Sequence, residues 1–336
     1  MNIEPLTGVR SDKELLNATR YFAQELRAQS WWYVASTSLI LISMLVITVL
    51  APWWPMRLIF SILSGLVVVR GFILFHDYMH GAILRDSRFA KAIFYCYGAL
   101  LLTPPSSWRE SHNYHHRNVG KLAISNIGSF PILTTNEWKK ASFSERLKYR
   151  VGRHPLTIAS AYLSVFLFNI CLASFFRNPR KHWGSAIVLM IHLVVIFLVW
   201  LSFGLQILLF ACILPLWIAS ALGAYLFYTQ HNFPGMRVLN EDEWTYHEAA
   251  LQTSSYMKFG AVMRWFTGNI GYHHVHHINS SIPFYRLPET MAAIPELQNP
   301  KITSLHPRDI LACLRLKLWD PSKQRMVSYR DSQIPN

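Results

Sequence analysis

The apolar runs of this chain are too long for a soluble core. Residues 31–50, 56–75, 185–203 and 205–228 carry only Arg57 and Arg70 as charges among them. A helix crosses the hydrocarbon of a bilayer with about 20 residues at roughly 1.5 Å of rise each. Backbone polar groups inside hydrocarbon must be satisfied within their own segment, so such runs are helical. The chain is therefore expected to be an all-α integral membrane protein. Trp31, Trp32 and Tyr33 open the first run, and Trp53 and Trp54 follow it, as aromatic side chains do at the two water interfaces. Pro52 and Pro55 break the helix between the first two runs.

Three histidine clusters lie near the ends of these runs: His76-Asp77-Tyr78-Met79-His80, His112-Asn113-Tyr114-His115-His116, and His273-His274-Val275-His276-His277. As helices, the first puts two imidazoles at i, i+4. The other two each put three at i, i+3, i+4. Residues at those offsets share a helix face. Eight converging nitrogens exceed what one tetrahedral zinc can use. Two metal ions in one histidine cage is the simplest reading. His231, at the end of the run 205–228, is a ninth candidate ligand. His274 breaks the spacing of its triad and is read as a bystander or an outer support. Asp77 and Glu110 are candidates to orient imidazoles by accepting the second ring N–H. His154, His182, His192, His247 and His306 stand alone and read as ordinary hydrogen-bonded residues.

The clusters constrain topology, because residues that share a metal centre must reach one side of the membrane. Residues 89–103 are apolar but too short to cross, and Pro104-Pro105 ends them; they are expected to lie in the interface. A crossing at 155–176 would put the second and third clusters on opposite sides. Basic residues bracket that run at both ends, and it is read as re-entrant or interfacial. Four transmembrane helices remain, with a cap carrying the metal clusters. The two outer turns, near 52–54 and 202–206, hold no Lys or Arg. The positive-inside trend then makes both termini and the cap cytoplasmic. The expected division is 1–30 as a cytosolic amphipathic arm, 31–297 as the membrane unit and 298–336 as a cytosolic tail. The arm is mixed and charged, unlike a cleavable signal peptide. Arg70, about one and a half turns before His76, is read as snorkelling to the interface.

Lys and Arg number 32 against 18 Asp and Glu, a formal charge of +14. Basic loops flanking apolar spans account for this balance, and no nucleic-acid module is recognisable. Cys96, Cys171, Cys212 and Cys313 form no close pair. They read as small buried hydrophobes, neither a disulfide framework nor a thiolate metal site.

Imidazole suits zinc, copper, iron and nickel. Iron with dioxygen is the combination that gains from a place beside a bilayer. Lipid offers strong, unactivated C–H bonds that no side chain can break as base or nucleophile. A redox metal must supply that chemistry while the protein places the chain and excludes water. A metal transporter or haem subunit is a different reading. It would carry polar ligands deep within its spans, whereas these clusters sit at span ends.

The residues resemble the membrane fatty acid desaturase family. The matching pieces are the HxxxH of His76 and His80, and the two HxxHH boxes of His112/His115/His116 and His273/His276/His277. Trp108-Arg109 before the second box and Gln230-His231 also match. The run His276-His277-Ile278-Asn279, followed by Ile282-Pro283-Phe284-Tyr285-Arg286-Leu287, is similar to bacterial acyl-lipid desaturases. The resemblance covers about residues 31–297. It implies a non-haem di-iron centre held by the three boxes and His231. Such a centre uses O₂ and two electrons to desaturate a lipid- or thioester-linked acyl chain in the bacterial inner membrane. A fused cytochrome domain would show an HPGG motif, and the sequence has none. Electrons are expected from a separate ferredoxin or cytochrome b5-like carrier. A hydroxylase or ketolase of alkyl chains or carotenoids, with the same metal centre, is the alternative.

Overall fold

The computed structural model describes residues 10–122, 129–240 and 242–333. The first half of the chain runs through α1 (Asp12–Thr19), α2 (Arg27–Leu50), α3 (Trp54–His80), α4 (Arg88–Leu100), α5 (Pro105–Asn118), α6 (Thr135–Lys140), α7 (Phe143–Gly152), α8 (Pro155–Ala159) and α9 (Ser174–Arg177). The second half holds α10 (Trp183–Ile207), α11 (Leu214–Gln230), α12 (Tyr246–Thr253), α13 (Ala261–Phe266), α14 (His273–Ile278), α15 (Leu287–Ala293) and α16 (Pro307–Arg315). Wider π-helical turns fill Tyr162–Ala173 and Leu208–Ile213.

Among the described residues, three helices are long and apolar enough to cross a membrane: Arg27–Leu50, Trp54–His80 and Trp183–Gln230. The last has 48 residues. Straight, it would reach about 72 Å, more than twice a hydrocarbon core of about 30 Å. It breaks at Gly204, where φ is 77° and ψ 173°, a conformation essentially confined to glycine. The runs 185–203 and 205–228 are thus two arms of one broken helix. The apolar stretch Tyr162–Arg177 is shorter than these.

The arms of this helix are built inside out. α10 exposes Met190, Leu193, Phe197 and Leu201 and buries Ser185 and His192. His192 is satisfied between the Tyr162 hydroxyl at 2.7 Å and the Leu100 carbonyl at 2.9 Å. α3 is the central helix and packs on both α2 and α11. Small residues line its contacts, with Ser61, Ser64 and Gly65 buried. A Cβ on Gly65 would lie 2.9 Å from Ile218 Cβ, so the glycine sets how closely α3 and α11 approach.

Arg70 does not snorkel. It is buried on α3, where Nε donates to Thr37 Oγ1 at 3.2 Å and Nη1 donates to the Trp265 carbonyl. The guanidinium lies over the Trp265 ring, 4.4 Å from its centroid. The short helix α13 covers the path to water that the sequence left open.

The remaining elements form a cap over the ends of α3 and α11. Residues after 297 are woven into it by two small sheets. β1 (Leu133–Thr134) pairs in parallel with β4 (Leu318–Asp320), which pairs antiparallel with β5 (Arg325–Val327). β2 (Tyr256–Lys258) pairs in parallel with β3 (Ile302–Ser304). The N-terminal arm is clasped as well. Leu15 is buried, Asn279 Nδ2 donates to Thr19 Oγ1 at 2.9 Å, and Arg286 Nη1 donates to the Tyr21 carbonyl at 2.9 Å.

Candidate metal centre

Four helices aim their ends at one point below the cap. α3 ends on His76 and His80. α5 carries His112, His115 and His116, α14 carries His273, His276 and His277, and α11 stops one residue before His231. The nine imidazoles divide into two groups: His76, His80, His112, His116 and His276, and His115, His231, His273 and His277. Within each group the candidate ligand atoms lie within 4.8 Å of one another.

Helix phase makes the division. On α5 the i, i+4 pair His112/His116 serves one group, and His115 serves the other. On α14 the i, i+4 pair His273/His277 serves the second group, and His276 turns to the first. The groups are adjacent, since the His116 and His277 rings stack across the boundary with centroids 4.2 Å apart.

The nitrogens are spaced for a shared cation. In the first group, Nε2 of His112 lies 2.9 Å from Nε2 of His76 and 3.2 Å from Nε2 of His116, which lies 3.1 Å from Nε2 of His276. In the second, His231 Nε2 lies 3.1 Å from His115 Nε2 and 2.8 Å from His273 Nε2, which lies 3.1 Å from His277 Nε2. Imidazole nitrogens sit about 2.0–2.1 Å from a first-row divalent ion. Two at right angles on one ion are then about 2.9 Å apart, and two at the tetrahedral angle about 3.3 Å. The observed spacings, 2.8–3.2 Å, fall in the range that ligands of one such ion share.

Hydrogen bonding among the rings cannot replace the ion. Each neutral imidazole has one N–H and one lone pair, yet His112, His116, His231 and His273 each turn one nitrogen to two others. His80 Nε2 is buried with no hydrogen-bond partner among the described residues. A cation at each focus would satisfy these lone pairs together. The rings are also held neutral. Burial, and then neighbouring imidazoles, keep His112, His115, His116, His273, His276 and His277 well below the ordinary histidine range. Burial takes His231 down to about 4, against its hydrogen bond to the Thr253 carbonyl. At neutral pH these residues offer lone pairs rather than charge.

The profile of the fatty acid desaturase family matches residues 52–306, a stretch that contains all nine histidines. The chain belongs to this family. A fatty acid desaturase of Bacillus subtilis is 30% identical over 278 residues, 82% of this chain and 78% of the relative. An omega-6 fatty acid desaturase, endoplasmic reticulum isozyme 1, of Glycine max is 24% identical over 300 residues, 84% of this chain and 75% of its own. A Synechocystis relative is named an sn-1 acyl-lipid omega-3 desaturase (ferredoxin). It is 25% identical over 268 residues, 72% of this chain and 68% of its own. The chain is accordingly an oxidoreductase with membrane-length apolar helices and histidine clusters able to hold metal.

Around the desaturase histidines, the three outer candidates separate. Asp77 accepts from His76 Nδ1 at 3.1 Å through Oδ1, and Oδ2 accepts the Phe284 backbone N–H at 2.6 Å. Glu110 instead pairs with Lys181 Nζ at 2.7 Å on the exposed side of α5. His274 turns away from both groups, and its Nε2 donates to the Leu297 carbonyl at 3.1 Å. Two further supports stand beside the rings. The Thr253 carbonyl accepts from His231 Nδ1 at 3.0 Å; a backbone acceptor leaves no residue-type signal. Trp108 stacks on His112, with ring centroids 4.5 Å apart. It lies four residues before His112, on the same helix face, so the spacing was there to read.

Proposed function

We propose that this protein desaturates the acyl chain of a membrane lipid at a non-haem di-iron centre. His76, His80, His112, His116 and His276 would hold one iron, and His115, His231, His273 and His277 the other. Bound there, the iron pair would supply O₂-dependent oxidation of unactivated C–H bonds, two electrons coming from a separate carrier such as a ferredoxin or a cytochrome b5-like protein. The two adjacent groups of close Nε2 atoms carry the reading: nine imidazoles and no thiolate suit a dinuclear first-row site.

The chain's own residues set the conditions for that chemistry. Asp77, fixed by the Phe284 N–H, holds the His76 ring and its tautomer. The Thr253 carbonyl does the same for His231. Trp108 stacks on His112 and fixes the plane of that ring. Burial of the rings keeps water from the site, which matters when a reactive oxidant must meet a lipid chain.

In this reading four crossings, with the arms of Trp183–Gln230 counted as two, would put the nine candidate ligands and both termini on the cytoplasmic face of a bacterial inner membrane. Residues 31–297 form the catalytic unit in this reading. Expression in a host lacking unsaturated lipids, followed by mass spectrometry of fatty acid derivatives, tests the activity. New double bonds are expected. Hydroxylated chains in their place would move the protein to the hydroxylase reading, and unchanged lipids would overturn both. A reporter fused after Arg180 should score cytoplasmic; an external score breaks the four-span topology.

A further inference from the structure

The cap carries a helix with two unlike exposed faces. α7 is anchored on its inner side by Tyr149, which is buried and donates to the Lys317 carbonyl. Its outer side bears Phe143, Leu147 and Val151, spaced by four residues along one helix stripe. Leu156, just beyond the helix, continues the row. These four side chains are 82%, 50%, 53% and 71% exposed. Full contact with water is an unfavourable state for a contiguous apolar row of this size.

Charge accompanies the stripe. Lys139, Lys140, Lys148 and Arg150 are exposed on α6 and α7. The acids of the same two helices are engaged locally. Glu137 Oε2 accepts from Thr134 Oγ1 at 2.8 Å, and Glu145 Oε2 accepts from Ser142 Oγ at 2.7 Å, each closing a capping box at a helix start.

The height of the helix is fixed by Arg153, the residue that follows it. Arg153 Nη2 donates to Asn232 Oδ1 at 2.7 Å, and Asn232 lies two residues past the end of α11. The C-terminal end of α7 is therefore level with the inner end of the last apolar helix. Beyond it the chain enters the apolar stretch Tyr162–Arg177.

We infer that α7 lies in the headgroup layer of the leaflet beneath the cap, its apolar stripe in the lipid and its lysines against anionic phospholipid. An acidic soluble protein would match the cations but leave the stripe in water. A bilayer surface matches both, and it is continuous with the apolar surface that the spans already present. The inference concerns lipid contact and stands apart from the metal reading.

Site-directed spin labelling of the full chain in nanodiscs tests it. Cys96→Ser removes the exposed native thiol, and the labelled parent serves as blank. Single cysteines replace Leu147, Val151 and, on the opposite side of α7, Glu145. In phosphatidylcholine discs containing phosphatidylglycerol, labels at 147 and 151 should be several-fold more accessible to oxygen than to a water-soluble nickel chelate. The label at 145 should show the reverse. Lys139→Glu, Lys140→Glu and Lys148→Glu together should lower the oxygen preference at 147 in anionic discs and leave it unchanged in neutral ones. Equal nickel access at 145, 147 and 151 would overturn the inference. So would spin–spin broadening between copies, which assigns the stripe to a second chain, or protection that arises only on adding an acidic protein. An unchanged oxygen preference in the triple variant would remove the anionic headgroups from the proposal.

Discussion

The two histidine groups differ in what stands behind them. The first has five imidazoles and a carboxylate, Asp77, against His76 Nδ1. The second has four imidazoles and a neutral backbone carbonyl, that of Thr253, against His231 Nδ1. A carboxylate raises the basicity of the ring it holds more than an amide carbonyl does. The groups are thus inequivalent by construction, the first being the richer in ligands and the one backed by a carboxyl group. An asymmetric pair is what a site needs if its two ions are to behave differently.

The largest expected effect comes from removing a ligand from either group. His276→Ala takes one nitrogen from the first and His273→Ala one from the second. Each should abolish product and lower the iron content from about two per chain towards about one, measured by elemental analysis of purified protein, without loss of membrane insertion. Retained activity in either variant would remove that histidine from the centre. Asp77→Asn should weaken metal retention by about 10–100-fold at the first group alone. A chelator challenge should then strip one iron early and one late. Simultaneous loss of both would erase the distinction between the groups.

Acid should act on the cap through the buried imidazoles of both groups, His231 among them. His231 titrates at about 4 in the folded chain, below an unfolded value of about 6.5. Its neutral form contributes stability that is fully present above about 6.5 and is lost as pH falls towards 4, because the unfolded chain takes up the proton first. The metal-free protein should show a melting temperature that declines across that window and is level above it. A flat profile would show that the buried imidazoles are not held neutral. The smallest effect is expected from Glu110→Gln. Its partner Lys181 is exposed with it, and exposed pairs contribute little, so activity and iron content should both stay at the parent level.

Much of this site was legible because metal-binding spacing and helix phase are both local. The structure brings the histidines of the three boxes together with His231, a position marked in the sequence by the end of an apolar run. Glu110, a candidate through its proximity in sequence, pairs with Lys181 instead. It lies two residues before His112, and residues at i, i+2 point to different sides of a helix. Asp77 reaches His76 Nδ1 because it borders it where the chain ends α3 and Phe284 comes to meet it. The partition into five and four was not legible, since it depends on how α5 and α14 face each other. Arg70 was misjudged because its cover, α13, has only six residues, too few for a readable period. The strands that tie residues after 297 into the cap have three residues each, and alternation cannot show over so short a length.

Interleaving of the two groups also orders their completion during synthesis. A nascent chain that has not yet reached His231 owns four imidazoles of the first group, His76, His80, His112 and His116, but only His115 of the second. One ion could be captured early; the neighbouring one must wait for His231 and α14. Were both groups to hold an ion, double loading would report that the chain through α14, the break at Gly204 included, has been threaded correctly.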